Sequence, residues 1–374
     1  MGETLKRNLH LLWDEKITPG IIENFETILP GRNDYIFWWN PDFKLHFAKK
    51  DEKCKLIKNE GDVPELDYSK YSKVIIHGLD PRKADFCKKN IPSNIPIYWI
   101  LWGIDLYQLV EPRGYKLLYH PEPSKSSIGW LKKIIKRFGY LSPQVKEYLS
   151  FFNQRDVTMI ASKEEYEILR KYYPNQTKTL KNNPDFFYYP VEKILGKLAK
   201  QEARGKCILV GNSNSYTNNH SYVFKYIKHA DLKDRIITVP LSYGGSEESR
   251  NRVIQEGQAI FGAQFNPLID FLPLDKYNQI MMETEYAVYG NWRQEAVGNI
   301  LIALYLGSKV FLSEKNPLIK IFGDMGLKIY ILEKIDNLSF SIPLSSEFKE
   351  HNRRIIAERY SFSKMEENIK NLFT

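Results

Sequence analysis

The sequence predicts an α/β protein of two Rossmann-like domains facing a cleft, and three observations predict it. At 374 residues the chain is long for one domain and comfortable for two. Short apolar runs alternate with helix-length segments through both halves, the signature of parallel strands joined by crossover helices. Three of those runs end on a glycine beside polar or ionisable residues: Val74-Ile75-Ile76-His77-Gly78, Tyr98-Trp99-Ile100-Leu101-Trp102-Gly103-Ile104-Asp105 and Cys207-Ile208-Leu209-Val210-Gly211-Asn212-Ser213. Ligands in open α/β sheets sit outside the carboxyl ends of strands, so these endings are expected to line one site.

In the first half, Leu9–Trp13 is the expected first strand, followed by a helix over Pro19–Leu29 and a strand at Tyr35–Trp39. Val74–His77 and Ile97–Leu101 are the next strands, with Pro81–Lys89 helical between them. Val157–Ala161 and a helix over Lys163–Tyr172 close the half. The run from Asn182 to Pro190 mixes turn residues with aromatics and breaks the alternation, which places the junction there and the domains at 1–190 and 191–374. A second series then predicts a strand at Lys206–Val210, a helix over Asn219–Lys228, a strand at Ile236–Pro240 and a helix over Glu247–Gly262. It continues with a short strand near Ile269–Leu272, a helix over Asp275–Thr284, a strand at Tyr286–Tyr289, a helix over Glu295–Leu306 and a strand at Lys309–Leu312. Ser346–Leu372 reads as one charged amphipathic helical tail, expected to pack back on the N-terminal domain.

Composition narrows the partners. A hydrophobic fraction of 43% supports well-packed cores, while 14% aromatics and a formal charge of +9 point to an anionic partner. The three cysteines, Cys54, Cys87 and Cys207, have neither zinc nor disulfide spacing, which fits a reducing cytoplasm. No run approaches the ~20 apolar residues that span a bilayer, and Met1–His10 is too polar for a secretory signal.

Four constellations carry candidate chemistry. Gly211, Asn212 and Ser213 lead from a strand into a helix that opens with Asn218, Asn219 and His220, where backbone N–H groups and the helix dipole suit a diphosphate. A capped helix entry without ligand has the same look. In Tyr289-Gly290-Asn291-Trp292-Arg293-Gln294-Glu295-Ala296-Val297-Gly298-Asn299, Arg293 suits phosphate oxygens, and Gln294, Glu295 and Asn299 suit a base, ribose or sugar. Glu295 also fits simple complementation of a helix dipole, whereas Gly298 inside a helix argues for something packed close. His77, Asp80 and Asp105 form an acid–base pool. From Lys125 to Lys146 there is no acid; Lys132, Lys133, Lys136 and Arg137 flank an apolar stripe containing Trp130, the pattern of a helix at a membrane interface. Core packing with a solvated face accounts for the same stripe, and a nucleic-acid platform is disfavoured.

Ile76-His77-Gly78 with Pro81, and Trp102-Gly103-Ile104-Asp105-Leu106-Tyr107, resemble the 4-alpha-L-fucosyltransferase family. The likeness continues at Gly114-Tyr115-Lys116-Leu117, at Leu209-Val210-Gly211-Asn212-Ser213 with Asn218 and His220, and at Val239-Pro240 with Tyr243. It extends through Asp275 with Tyr277, Arg293-Gln294 with Gly298, and Asn316-Pro317, spanning roughly residues 70–325. Departures fall in the presumed donor pocket: Asn214-Ser215-Tyr216, Glu295-Ala296 and Asn299 stand where the family has other residues.

The resemblance implies a GT-B glycosyltransferase without metal or cofactor, the nucleoside-diphosphate sugar being a substrate. It implies transfer of a sugar such as Fuc4NAc from a TDP-linked donor to a polyprenyl-diphosphate-linked oligosaccharide, at the inner face of the cytoplasmic membrane, in bacterial surface polysaccharide synthesis. The expected donor residues are Gly211, Asn212, Ser213, His220, Tyr243, Arg293, Gln294, Glu295, Gly298 and Asn299. Asp105 is the expected general base or acceptor-positioning residue, with His77 next, and Trp130, Lys132, Lys133, Lys136 and Arg137 are the expected contacts to an anionic membrane surface and acceptor. A nucleotide-sugar epimerase and a non-catalytic membrane-peripheral binding module are the alternatives.

Overall fold

Strands that are apolar on both faces must be covered on both faces, and two parallel sheets made of such strands organise this chain. A computed structural model describes residues 6–38, 47–48, 54–57, 65–119, 143–184, 186–188 and 190–374. The first sheet holds β1 (Arg7–Leu12), β2 (Asn33–Trp38), β3 (Cys54–Ile57), β4 (Tyr71–His77), β5 (Ile97–Ile100), β6 (Val157–Ile160) and β7 (Lys181–Asn183). Their order is β3-β2-β1-β4-β5-β6-β7, and every pairing is parallel. The second sheet holds β8 (Cys207–Val210), β9 (Ile236–Pro240), β10 (Phe265–Leu268), β11 (Thr284–Tyr289), β12 (Lys309–Leu312) and β13 (Tyr330–Ile331). Its order is β10-β9-β8-β11-β12-β13, again all parallel.

Each sheet belongs to its own compact unit. The first unit comprises the described residues of Met1–Tyr115, Ser124–Tyr188 and Met365–Thr374; the second comprises those of Lys116–Pro123 and Tyr189–Lys364. In both, the chain starts centrally, runs outward to one edge and returns to build the other side. That strand order opens a crevice at the carboxyl ends of β1 and β4 in the first unit, and of β8 and β11 in the second.

Layering in the second unit explains the sequence pattern. Leu209, Ala287 and Val310 point to one face and pack with Ile300, Leu301 and Leu304 of the helix Val297–Leu306. Their strand neighbours Ile208, Val288 and Phe311 point to the other face and pack with Val223, Phe224 and Ile227 of the helix His220–Ile227. Neither face is wet, so the strands are continuously apolar.

The expected elements at Ile236–Pro240, Lys309–Leu312 and Lys163–Tyr172 lie where the pattern places them. The strand expected near Ile269–Leu272 lies instead at Phe265–Leu268. It is the edge of its sheet, where Pro267 costs no ladder hydrogen bond, and the apolar Ile269 and Phe271 beyond it are 48% and 63% exposed. The tail is two helices rather than one, Ser346–Arg359 and Phe362–Phe373, broken where the carbonyl of Tyr360 accepts the N–H of Val191. In the second of them, Asn24 Nδ2 meets Met365 Sδ, and Phe373 packs beside Phe25 and Phe186 in the first unit.

Candidate functional site

The carboxyl ends of β8 and β11 bring most of the expected donor residues into two facing turns. After β8, Gly211 adopts φ +68°, open to glycine and strained for other residues. A Cβ there would lie 2.7 Å from Asn218 Oδ1 and 3.2 Å from His220 Nε2. Its N–H donates to Val288 O, and the N–H of Asn212 donates to Asn218 Oδ1, at 2.9 and 3.0 Å. The first two amides of the turn are therefore bonded inside the fold. Asn218 Nδ2 donates to Ser213 Oγ at 3.1 Å, so one buried amide shapes the whole turn. His220 opens the following helix; its ring is buried, its Nε2 has no hydrogen-bond partner among the described residues, and burial pushes its pKa down to about 4.

After β11, Glu295 is the knot. One oxygen, Oε2, accepts Thr217 Oγ1 at 2.5 Å, Asn291 Nδ2 at 2.9 Å and Arg293 Nε at 2.9 Å. Glu295 thus ties the turn after β11 to the turn after β8 and holds the guanidinium beside it. Ala296 next turns the chain at φ +59°, so the helix starts at Val297 rather than at Glu295. Gly298 consequently lies in the first turn, not in the helix interior. Gln294 is half-buried in the same turn, and Asn299 Nδ2 donates to the Tyr277 hydroxyl at 3.0 Å. Tyr243 is 45% exposed, and its carbonyl accepts the N–H of Asn214 at 2.7 Å.

Four residues of this site escaped the sequence reading as site residues. Thr217 and Asn291 bind Glu295, and Asn218 shapes the turn after β8. Asn219, at φ +50°, uses its side chain to hold Gly290 O at 3.0 Å and to bond Leu117 O and Tyr119 N. Its signal was the Asn218-Asn219-His220 run. Buried Asn212 Oδ1 and Asn291 Oδ1 join His220 Nε2 as polar atoms without a hydrogen-bond partner among the described residues. Native folds rarely leave such atoms unsatisfied, and a cluster of them marks a place for a polar ligand.

The ends of β1, β4 and β5 hold the expected acid–base residues. Asp105 lies in the first turn of the helix Ile104–Val110 and is buried. Its Oδ2 accepts Leu79 N at 2.9 Å and Trp99 Nε1 at 2.7 Å, and its Oδ1 accepts Trp102 N at 3.1 Å. Burial raises its pKa and these bonds oppose the rise. Both oxygens face the protein's own donors, which pins the turn after β4 to the turn after β5 and suits positioning rather than proton abstraction. Asp80 caps the helix Pro81–Asn90 and accepts Trp13 Nε1 at 2.9 Å. Buried Lys83, absent from the sequence reading, donates to His77 O and Gly78 O at 2.7 Å each, and burial lowers its pKa to about 7.

His77 is fully buried, with Nε2 3.0 Å from His10 Nδ1 and Nδ1 2.6 Å from the Tyr188 hydroxyl. His10, also fully buried, was legible only as a lone imidazole inside an apolar strand. Trp130, Lys132, Lys133, Lys136 and Arg137 lie outside the described residues. Among the described residues, no group of three or more His, Cys, Asp or Glu is placed to hold a metal ion, and no helix is long and apolar enough to cross a membrane.

Comparison with known proteins locates this architecture. A sequence profile of the 4-alpha-L-fucosyltransferase family, glycosyl transferase group 56, matches residues 146–357, more than half of the chain. The match starts beyond the motifs at 76–107. Among solved structures, HepE from Anabaena in complex with UDP superposes with a TM-score of 0.62 at 10% identity, over 98% of each chain. Sucrose-phosphate synthase from Thermosynechococcus elongatus superposes with a TM-score of 0.61 at 9% identity, also over 98% of each chain. WaaG, a glycosyltransferase involved in lipopolysaccharide biosynthesis, gives 0.57 at 10% identity, over 98% of this chain and 99% of its own. At these identities the likeness is one of fold, and that fold is GT-B.

Proposed function

The chain belongs to the 4-alpha-L-fucosyltransferase family and is a glycosyltransferase, and on that premise we propose that it extends a polyprenyl-diphosphate-linked oligosaccharide in bacterial surface polysaccharide synthesis. The donor in this reading is a nucleoside-diphosphate deoxy- or acetamido-sugar, TDP-linked Fuc4NAc being the reference case. The enzyme works at the inner face of the cytoplasmic membrane without a metal or cofactor, its basic 125–146 segment on anionic headgroups. The observation that carries the reading is the group of buried polar atoms without partners among the described residues at the β8/β11 crevice: His220 Nε2, Asn212 Oδ1 and Asn291 Oδ1, beside the Arg293–Glu295 pair.

In the reaction, the acceptor hydroxyl oxygen forms a bond to the anomeric carbon. The bond from that carbon to the diphosphate oxygen breaks, and its electron pair leaves on the nucleoside diphosphate. Arg293 balances the charge that develops there. His220 donates to a phosphate oxygen through Nε2, Gly211 to Ser213 floor the site, and Tyr243, Gln294, Glu295, Gly298 and Asn299 surround the nucleoside and sugar. Asp105 positions the acceptor side by holding the turns after β4 and β5, and His77 stands on the proton path.

Thermal unfolding in a panel of nucleoside diphosphates and their sugars tests this reading, since a ligand that binds only the folded state raises its stability, by about 2.7 kcal/mol at roughly 100 times its Kd. A selective rise with TDP, followed by sugar transfer to a synthetic polyprenyl-diphosphate disaccharide, supports the transferase. Conversion of the donor without any acceptor supports the epimerase instead. No rise with any nucleotide at millimolar concentration overturns both and leaves the binding module.

A further inference from the structure

At the carboxyl end of the second sheet, positive charge is sparse and unevenly balanced. β12 lies beside β11, and the turns that follow them are joined where Ser313 N donates to Tyr289 O at 3.1 Å. Across the turns after β8, β9, β11 and β12, Arg293 and Lys315 are the only lysine or arginine residues. Arg293 gives its Nε to Glu295 Oε2 at 2.9 Å, which brings that pair close to neutral. The His220 ring, lowered to about 4 by burial, is uncharged at neutral pH. Lys315 is exposed, and its ammonium has no ion pair or hydrogen bond among the described residues.

The fold places this cation rather than pairing it. Glu333, the carboxylate that anchors the turn after β12, is taken up by neutral donors. Its Oε1 accepts the Ser313 hydroxyl at 2.6 Å and the Tyr222 hydroxyl at 2.7 Å, and its Oε2 accepts Glu314 N at 2.8 Å. Tyr222 belongs to the helix that His220 opens, so these bonds fix the backbone beside Lys315 against that helix. The Lys315 ammonium lies over the Trp292 ring, 3.6 Å from its centroid, and 5.7 Å from that of Tyr222. Trp292 is buried and directly precedes Arg293, so the indole seats the ammonium on the turn that holds the arginine. An aromatic face holds an exposed cation only weakly, and the lysine stem is flexible. The ammonium can follow an anion at little cost.

We propose that Lys315 binds the diphosphate of the sugar donor as a second cation beside Arg293. The inference rests on the reading of the β8/β11 crevice as a nucleoside-diphosphate site. A diphosphate is multiply anionic, and it gains further charge as the bond from the anomeric carbon to its oxygen breaks. Arg293 paired with Glu295 brings orientation but almost no net charge. Lys315 brings the charge. Its ammonium leaves the Trp292 face and donates to phosphate oxygens, where an ionised donor makes the stronger kind of hydrogen bond. Glu295 thus orients the arginine at the cost of its charge, and the neighbouring turn restores it.

The test is Lys315→Met, which keeps an unbranched stem on the indole and removes the charge, with Lys315→Arg as the charge-conserving partner. Wild type and both variants are titrated calorimetrically with TDP, UDP, GDP and CDP, at about 50 mM and about 300 mM salt. For the nucleotide that wild type binds most tightly, Lys315→Met is expected to bind about tenfold more weakly at the lower salt. The gap is expected to narrow to about threefold at the higher salt, because an exposed ionic contact is screened. Lys315→Arg is expected to stay within about threefold of wild type at both. A Lys315→Met protein within about twofold of wild type at both salts overturns the proposal. So does a loss that is equal at both salts and not restored by arginine, which would make Lys315 a cover for the indole alone. A wild type that binds none of the four nucleotides at millimolar concentration overturns the nucleotide reading of the crevice, and the proposal with it.

Discussion

The two strand-switch crevices share a topology and differ in how completely they are satisfied. At the ends of β1 and β4, the buried ionisable groups have partners: Asp105 accepts from Leu79, Trp99 and Trp102, and Lys83 donates to two carbonyls. His77 is bonded at both ring nitrogens. At the ends of β8 and β11, His220 Nε2, Asn212 Oδ1 and Asn291 Oδ1 are buried without partners among the described residues. The same crevice also holds Asn219 and Ala296, two of the three non-glycine residues with left-handed backbone among the described residues. The difference teaches that charge alone does not locate a ligand. In the first crevice the charges of Asp105 and Lys83 are met by the protein's own groups, whereas the second holds an imidazole and two amide oxygens without partners among the described residues.

Asp105→Asn probes the saturated crevice and has the largest expected effect on stability. An amide cannot accept all three N–H donors, so about 3 kcal/mol of stability is expected to be lost, read from urea or thermal unfolding. Turnover within a few-fold of wild type in that variant would remove the positioning role. Arg293→Ala probes the unsaturated crevice. A lost charge partner for the leaving group is expected to lower kcat by about 100-fold with little change in melting temperature. A variant that melts early but turns over normally when folded would make Arg293 a structural partner of Glu295 only.

The buried histidines distinguish the crevices by pH. His220 and His10 both have folded pKa values near 4, below the ordinary histidine value, because burial disfavours the charged ring. The unfolded chain therefore binds more protons between those values, and stability is full above about pH 6.5 and falls toward pH 4, by at most about 3 kcal/mol per ring. Saturating nucleoside diphosphate is expected to flatten only the part contributed by His220, since the anion favours its protonated form. A ligand that leaves the slope unchanged would separate His220 from the diphosphate. Gly211→Ala is the smallest perturbation. Its left-handed backbone and the 2.7 Å approach of Asn218 Oδ1 predict a loss of about 1–2 kcal/mol and weaker nucleotide binding. A neutral effect would show that the turn after β8 has room to relax.

Much of the fold was legible because central parallel strands are buried on both faces and read as uninterrupted apolar runs. The edges were harder. Cys54–Ile57 and Lys181–Asn183 are short edge strands, and Lys181, Asn182 and Asn183 carry no apolar signal at all. Phe265–Leu268 was displaced in the reading by a proline that an edge tolerates.

In the candidate site, local chemistry was visible and pairing was not. Gly211, His220 and Glu295 stand out beside strand ends, because only particular residues turn a strand tightly into a helix. Yet the partner of Glu295 is Thr217, 78 positions away, and the partner of His77 is His10, 67 positions away. Sequence alone determined the two α/β units, their apolar layers and the glycine turns, since these follow from burial and backbone sterics over a few residues. Only the tertiary structure decided that β1 adjoins β4 and β8 adjoins β11. That strand order alone brings the distant side chains within hydrogen-bonding distance.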